Sequence, residues 1–151
     1  MHIENVLAEH NRNVVTVEPK TPVAEAARVM IENQIGAVLV IGADEAIAGI
    51  LSERDIMAAV GDIDTPLERV PTETLMTRNV ATCRPGDTVI QAVIKFNNLG
   101  IRHLAVVDNG TLKGILSMRD VMQAFSRMIV DQRILGQPKF ATELAEALIA
   151  A

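Results

Sequence analysis

An internal repeat constrains the fold of this 151-residue chain more than any other feature. Residues 49–55 read GILSERD, and residues 114–120 read GILSMRD. A structural unit that is used twice fixes the architecture before single residues are considered. Two copies also imply a pseudo-twofold axis, and a cleft on such an axis is a natural place for one or two ligands.

The repeat extends well beyond this heptad. Residues 12–16 (RNVVT) match residues 78–82 (RNVAT), and the offset stays at 66 as far as Val40 and Val106. From Gly49 and Gly114 onwards the offset is 65, so the second copy is one residue shorter than the first in the stretch after Val40 and Val106. The loss falls in a turn that contains Asn-Gly in the second copy, which is a strong hairpin signal. The length difference therefore lies where a hairpin tolerates it.

Hydrophobic periodicity predicts strand, helix, strand, hairpin turn, strand and helix in each copy. The predicted strands are residues 14–17, 37–41 and 48–51 in the first copy, and 80–83, 104–107 and 112–116 in the second. The first helices begin near Thr21 and Asp87, and the second helices span 53–60 and 118–128. We expect repeats at 8–62 and 74–128, a linker at 63–73, and a helical tail at 129–151 with its helix over 141–150.

Composition excludes several classes of protein. The formal charge is −5, no Lys/Arg cluster is present, and the aromatic residues are three Phe, so nucleic acid is not the expected main partner. No apolar run approaches the roughly 18 residues that span a bilayer, and residues 1–5 lack the layout of a signal peptide. The single cysteine suits a reducing cytoplasm, where we expect the protein to be.

The pattern resembles a tandem pair of CBS (cystathionine-β-synthase) domains, also called a Bateman module, over about residues 8–128. The specific element is the motif Gly-hydrophobic-x-Ser/Thr-x-x-Asp, which is intact in both copies. The resemblance implies an α/β fold of two pseudo-twofold-related β-α-β-β-α repeats packed sheet to sheet. It further implies a stand-alone regulatory or energy-sensing module that requires no cofactor. The sequence does not identify the protein that such a module would regulate.

The resemblance also implies an adenosine-containing ligand, AMP, ADP or ATP, in the clefts between the repeats; S-adenosylmethionine is an alternative ligand. The motif aspartates would bind the ribose hydroxyls, assisted by the motif serines, and residues entering the middle strand would contact phosphate. Because Arg102 and His103 carry donors where Gly36 and Ala37 do not, we expect unequal clefts, with a phosphorylated ligand in the second. The expected ligand-binding residues are Thr16, Ala37, Ser52, Arg54, Asp55, Thr82, Arg102, His103, Ser117, Arg119 and Asp120.

Each assignment has a simpler alternative. Ser-x-x-Asp at a helix start also fits a capping box, and the two roles are compatible. Arg54 and Arg119 could equally be solvated helix residues. If the clefts are empty, the chain is instead a ligand-free interaction or dimerisation module.

Catalysis is not expected from this sequence. No nucleophile–base pair or carboxylate dyad has a usable spacing, and the histidines and Cys83 lack metal-ligand spacing. Cys83 fits a small buried strand residue. We expect the second helices of both repeats to form the contact between two subunits of a homodimer.

Overall fold

The computed structural model describes residues 1–10, 14–130 and 142. Apart from Thr142, the predicted tail helix over 141–150 lies outside these residues, as do Arg12 and Asn13 of the repeat. Intrachain contacts divide the protein into one unit of Val15–Val80 and another of Met1–Val14 with Ala81–Ala151. We describe each unit by itself.

The unit around the first repeat consists of β1 (Thr16–Val17), α2 (Val23–Glu32), β2 (Ala37–Ile41), β3 (Ile47–Ser52), α3 (Glu53–Asp62) and α4 (Thr72–Leu75), with a 3-10 turn at Leu67–Arg69. Its three-stranded sheet has the order β1-β2-β3, with β1 parallel and β3 antiparallel to β2. Its core contains Val17, Val38 and Leu51 from the sheet with Ala26 and Met30 from α2.

The unit around the second repeat consists of α1 (Ile3–His10), β4 (Thr82–Cys83), α5 (Val89–Leu99), β5 (His103–Asp108), β6 (Thr111–Ser117) and α6 (Met118–Val130). Its sheet has the same topology, in the order β4-β5-β6. Its core contains Cys83, Leu104 and Leu116 from the sheet with Phe96 and Val121 from the helices. The predicted α/β fold of two β-α-β-β-α repeats is confirmed.

Local chemistry explains most element boundaries. The predicted hairpin at Asn109-Gly110 is formed with φ of 48° and 80°, a backbone that Asn and Gly tolerate best. The helix α5 is capped by Thr88 and not by Asp87, because Thr88 and Gln91 form a capping box. Asp87 instead accepts a hydrogen bond from the Arg84 N–H at 2.9 Å.

Sequence reasoning missed the two segments that complete the repeats. Residues 1–10, here called the N-terminal segment, precede the first strand of the first repeat in sequence but pack in the unit of the second. Residues 70–77, here called the linker segment, precede the first strand of the second repeat but pack in the unit of the first. Each repeat therefore carries a segment that adjoins the other repeat in sequence.

The two segments dock through corresponding hydrogen bonds. In the second unit, the Ile3 and Glu4 N–H groups donate to the carbonyls of Asp87 and Pro85, each at 2.9 Å. In the first unit, the Thr72 and Glu73 N–H groups donate to the carbonyls of Thr21 and Pro19, at 2.8 and 3.0 Å. The segments thus correspond at an offset of 69, three more than the offset of 66 that relates the first strands.

Candidate functional site

Both motifs lie at a junction between a strand and a helix. β3 ends at Ser52 and α3 begins at Glu53; β6 ends at Ser117 and α6 begins at Met118. We call the surroundings of these junctions the first edge and the second edge. The first edge consists of Gly36, Ala37, Ser52, Glu53, Arg54 and Asp55; the second consists of Arg102, His103, Ser117, Met118, Arg119 and Asp120.

The motif serine and aspartate of each edge are hydrogen-bonded to each other. The Ser52 N–H and Oγ–H both donate to Asp55 Oδ2, at 2.8 and 2.6 Å. The Ser117 N–H and Oγ–H donate to Asp120 Oδ2, at 2.9 and 2.6 Å. The Asp120 N–H also donates back to Ser117 Oγ at 3.1 Å. Capping of α3 and α6, the simpler alternative for these residues, is therefore present in the structure.

Capping does not exhaust the hydrogen-bonding capacity of the Asp55 carboxylate within the described residues. An ionised carboxylate offers about four acceptor positions over its two oxygens. Both hydrogen bonds that Asp55 accepts within the described residues fall on Oδ2, which leaves Oδ1 for a further donor. Asp55 and Asp120 are both only partly buried. A role in holding the helix is thus compatible with binding a sugar hydroxyl.

The entry of each middle strand lies beside the motif serine. Ala37 pairs with Ser52, and His103 pairs with Ser117, in the antiparallel ladders. The Met118 N–H donates to the Arg102 carbonyl at 2.9 Å, and the Glu53 N–H donates to the Gly36 carbonyl at 3.0 Å. The residue before each middle strand is therefore fixed against the first residue of the motif helix.

The first-strand threonines share a sheet face with these residues. Thr16 pairs with Leu39, two residues along β2 from Ala37, and Thr82 pairs likewise with Ala105. Because side chains alternate along a strand, these threonines lie on the face opposite the helix-covered core. The structure thus places Thr16, Ala37 and Ser52 on one face of the first sheet, and Thr82, His103 and Ser117 on the same face of the second.

The three arginines of the expected site are exposed. Arg54 and Arg119 are the second residues of α3 and α6, and Arg102 directly precedes β5. Within the described part of the chain, none of the three forms an ion pair. Their guanidinium groups are thus exposed and without an ion pair among the described residues.

Thr82 also borders a hollow at the hairpin side of the second sheet. The hollow has a volume of about 530 Å³ and includes Arg84, Asp87, Lys95 and Asp108 in its lining. Lys95 Nζ donates to the Thr82 carbonyl at 2.9 Å and lies 3.8 Å from Asp87 Oδ2. The polar groups around Thr82 are thus largely engaged with one another.

The motif glycines have a packing role that sequence reasoning missed. A Cβ atom at Gly49 would lie 2.6 Å from Met76 Sδ and 2.9 Å from the Thr77 carbonyl oxygen. At Gly114 it would lie 3.0 Å from Leu7 Cδ2. Met76 belongs to the linker segment and Leu7 to the N-terminal segment. Glycine therefore allows these segments to pass close over the third strand of each sheet, and the space is tightest at Gly49.

Cys83 is buried in the core of its unit. Burial raises the pKa of its thiol from 9.0 to about 11, the Lys95 charge opposing this increase. Because the thiolate is the nucleophilic form, the thiol is unreactive at neutral pH. Among the described residues, no group of three or more His, Cys, Asp or Glu side chains could hold a metal ion. No helix in the described part of the chain has the length and apolar character needed to cross a bilayer.

Comparison with known proteins identifies a family. A family model described as "CBS domain" matches residues 3–62 and 72–127. An uncharacterised 17.7 kDa protein of Acidianus ambivalens is 38% identical over 114 residues, which are 74% of this chain and 66% of that protein. The chain spans no more than about two thirds of the length of the first curated relatives that it matches.

Solved structures share the fold. A CBS-domain containing protein from Agrobacterium tumefaciens has 35% identity and a TM-score of 0.78, over 82% of this chain and 92% of that one. A CBS domain protein from Pyrobaculum aerophilum, complexed with AMP, has 26% identity and a TM-score of 0.73, over 96% of this chain and 98% of that one.

Proposed function

Since this chain belongs to the CBS domain family and carries two copies of the domain, we propose that it is a regulatory module that binds an adenine nucleotide. The observation that carries the proposal is the repeated Ser–Asp pair at the two edges, whose carboxylates are held in place and partly exposed. The AMP complex of the Pyrobaculum aerophilum protein supports AMP as the first ligand to test.

We assign each residue the role that the family resemblance implies, and its position at an edge is compatible with that role. Asp55 and Asp120 accept hydrogen bonds from ribose hydroxyls, with Ser52 and Ser117 orienting the carboxylates. At the second edge, Arg102, His103 and Arg119 supply donors for phosphate. At the first edge, Arg54 contacts the ligand and Ala37 contributes backbone groups only. Thr16 and Thr82 line the same face. Nucleotide binding then alters how the module contacts a regulated protein, and the module itself performs no catalysis.

The test separates ribose binding from helix capping, because the chain contains a capping box outside the motifs. Asp120→Ala removes the two hydrogen bonds to Oδ2 at the start of α6, and Gln91→Ala removes the corresponding bonds from the Thr88 N–H and hydroxyl at the start of α5. Each loss of a cap is expected to cost about 1 kcal/mol of unfolding free energy. Only Asp120→Ala removes a ligand contact; losing two hydrogen bonds to a charged group weakens binding by about 100-fold or more.

Isothermal titration with AMP, ADP, ATP and S-adenosylmethionine measures this difference, and thermal unfolding measures the cap. Asp55→Ala, measured in parallel, tests the first edge. If Asp120→Ala and Gln91→Ala bind nucleotide equally well, the motif is only a cap. Failure of the unaltered protein to bind any of these ligands would favour the ligand-free interaction module.

We further propose that the chain forms a homodimer through α3 and α6. Met57 and Met122 occupy equivalent positions on these helices and are 71% and 56% exposed, and Val60 on α3 is 62% exposed. Large apolar side chains repeated at equivalent exposed positions favour a self-complementary contact between two copies.

Sedimentation velocity tests the dimer. The double variant Met57→Glu/Met122→Glu places a charge on each helix and is expected to yield monomers, because a buried unpaired carboxylate opposes association. The control is Ile31→Glu on α2, a residue that is 76% exposed. A monomeric unaltered protein, or an unchanged dimer in the double variant, contradicts the proposed contact.

A further inference from the structure

The two edges differ in charge although their motifs are the same. The first edge carries the carboxylates of Glu53 and Asp55 and the guanidinium of Arg54, a net of one negative charge. The second edge carries the guanidinium groups of Arg102 and Arg119 and the carboxylate of Asp120, a net of one positive charge with His103 neutral.

The differences are concentrated at one structural position. Gly36 and Glu53 are joined by a backbone hydrogen bond in the first unit, and Arg102 and Met118 are joined by the same bond in the second. At this position the first repeat supplies a carboxylate and no cation, whereas the second repeat supplies a cation and no carboxylate. Both charged side chains are exposed.

The helix dipoles strengthen the contrast. The N-terminus of a helix favours a negative charge, which an acidic side chain in the first turn can supply. In α3 that turn contains Glu53 and Asp55, whereas in α6 it contains Asp120 alone. A ligand phosphate would therefore be repelled by Glu53 at the first edge, but attracted by Arg102 at the second.

From this difference we propose that the edges select ligands of different charge: the second edge binds a phosphorylated adenosine, and the first edge binds an adenosine derivative without phosphate. The inference rests on the proposed function, since it divides the ligands between the two edges. One charge of either sign a few ångströms from a phosphate changes affinity by about fivefold to tenfold. The cation gained at Arg102 and the carboxylate lost at Met118 together change the preference by about 25- to 100-fold.

Titrations with AMP and with adenosine measure the preference at each edge. Asp55→Ala abolishes ligand binding at the first edge, so that only the second edge is measured. This variant is expected to bind AMP at least about tenfold more tightly than adenosine. Asp120→Ala abolishes ligand binding at the second edge, and that variant is expected to bind adenosine more tightly than AMP. Added salt should weaken AMP binding and leave adenosine binding nearly unchanged.

Residues exchanged between the repeats provide matched controls, because each replacement already occurs at the equivalent position of this chain. In the Asp55→Ala background, Met118→Glu is expected to lower AMP affinity by about fivefold to tenfold and to change adenosine affinity little. In the Asp120→Ala background, Glu53→Met is expected to raise AMP affinity by a similar factor. Arg102→Ala in the first background should act as Met118→Glu does.

The outcomes separate this inference from the proposed function. Equal ratios of AMP to adenosine affinity at both edges, or exchanges without effect, overturn charge selection while nucleotide binding stands. Absence of binding of either ligand to the unaltered protein overturns both.

Discussion

Removal of residues 1–10 is expected to unfold the unit around the second repeat, although these residues precede the first strand of the first repeat in sequence. Ile3 and Val6 are fully buried in the core that also contains Phe96, Leu116 and Val121. The segment also accepts a hydrogen bond from the Val89 N–H on the Met1 carbonyl, at 3.2 Å. Glu9 forms an ion pair with Arg127 of α6. The core of this unit is therefore incomplete without the N-terminal segment.

The expected loss is large relative to the stability of a domain. Truncating one buried Ile to Ala costs about 2–5 kcal/mol, and unfolding free energies are about 5–15 kcal/mol in total. Losing the whole segment removes two fully buried side chains, together with Leu7 against β6. Unfolding free energy should accordingly fall by at least about 4 kcal/mol.

Hydrogen exchange read by mass spectrometry locates the effect. Protection is expected to fall in β5, β6 and α6 more than in β2 and β3. Two neighbouring residues provide matched point variants: Ile3→Ala should destabilise strongly, while Glu4→Ala, at an exposed side chain, should not. A truncated chain that melts at the original temperature would show that the segment is dispensable.

The repeat and its strands could be predicted from sequence because their signals are local. Hydrophobic periodicity, the Asn109-Gly110 turn and the two heptads each lie within a few residues, and the structure forms the corresponding elements. The expected strands 14–17 and 80–83 shorten to two paired residues each, since only Thr16–Val17 and Thr82–Cys83 find partners in the neighbouring strand.

The docked segments could not be predicted because their partners are distant in sequence. The Ile3 N–H bonds to the carbonyl of Asp87, and the Thr77 N–H to that of Ile50. Alignment at the offset of 66 also concealed that residues 1–10 and 70–77 correspond, since their offset is 69. The repeated glycines were the available signal; their cause, a close approach of another segment, required the structure.

The two edges show which features of a site can be predicted from the amino-acid sequence. The motif predicted both the hydrogen-bonded Ser–Asp pairs and the start of each helix, which are local features. The neighbouring positions of Arg102 and Met118 depend on strand pairing, and so does the charge contrast between the edges. The sequence predicted from Arg102 that the two clefts are unequal. The strand pairing showed that Glu53 also contributes to the charge difference between the edges.

Gly49→Ala is expected to destabilise the protein much more than Gly114→Ala, although both replace the same motif residue. At Gly49 the added Cβ would meet Met76 Sδ at 2.6 Å, Met76 Cγ at 2.8 Å and the Thr77 carbonyl oxygen at 2.9 Å. That carbonyl cannot retreat freely, because it accepts a hydrogen bond from the Ile50 N–H at 2.9 Å. Displacing it breaks the contact between the linker segment and β3.

At Gly114 the neighbours are the two methyl groups of Leu7, at 3.0 and 3.3 Å. These atoms end a flexible side chain that is only partly buried, so a small rotation makes room for the new methyl group. Overpacking against fixed atoms costs about 1–3 kcal/mol, and we place Gly49→Ala at the upper end. For Gly114→Ala we expect a loss below about 1 kcal/mol.

Thermal and urea unfolding of the two variants measure the difference. For a chain of this size, Gly49→Ala should lower Tm by about 5–10 °C, and Gly114→Ala by about 3 °C or less. A second substitution distinguishes packing from backbone flexibility: Met76→Ala combined with Gly49→Ala removes the nearest side chain but not the Thr77 carbonyl. The double variant should therefore lose less unfolding free energy than the sum of the two single variants, because Met76→Ala removes part of the clash that Gly49→Ala creates. Strict additivity, or equal Tm losses for the two glycine variants, would mean that the linker segment does not press on β3 as the structure shows.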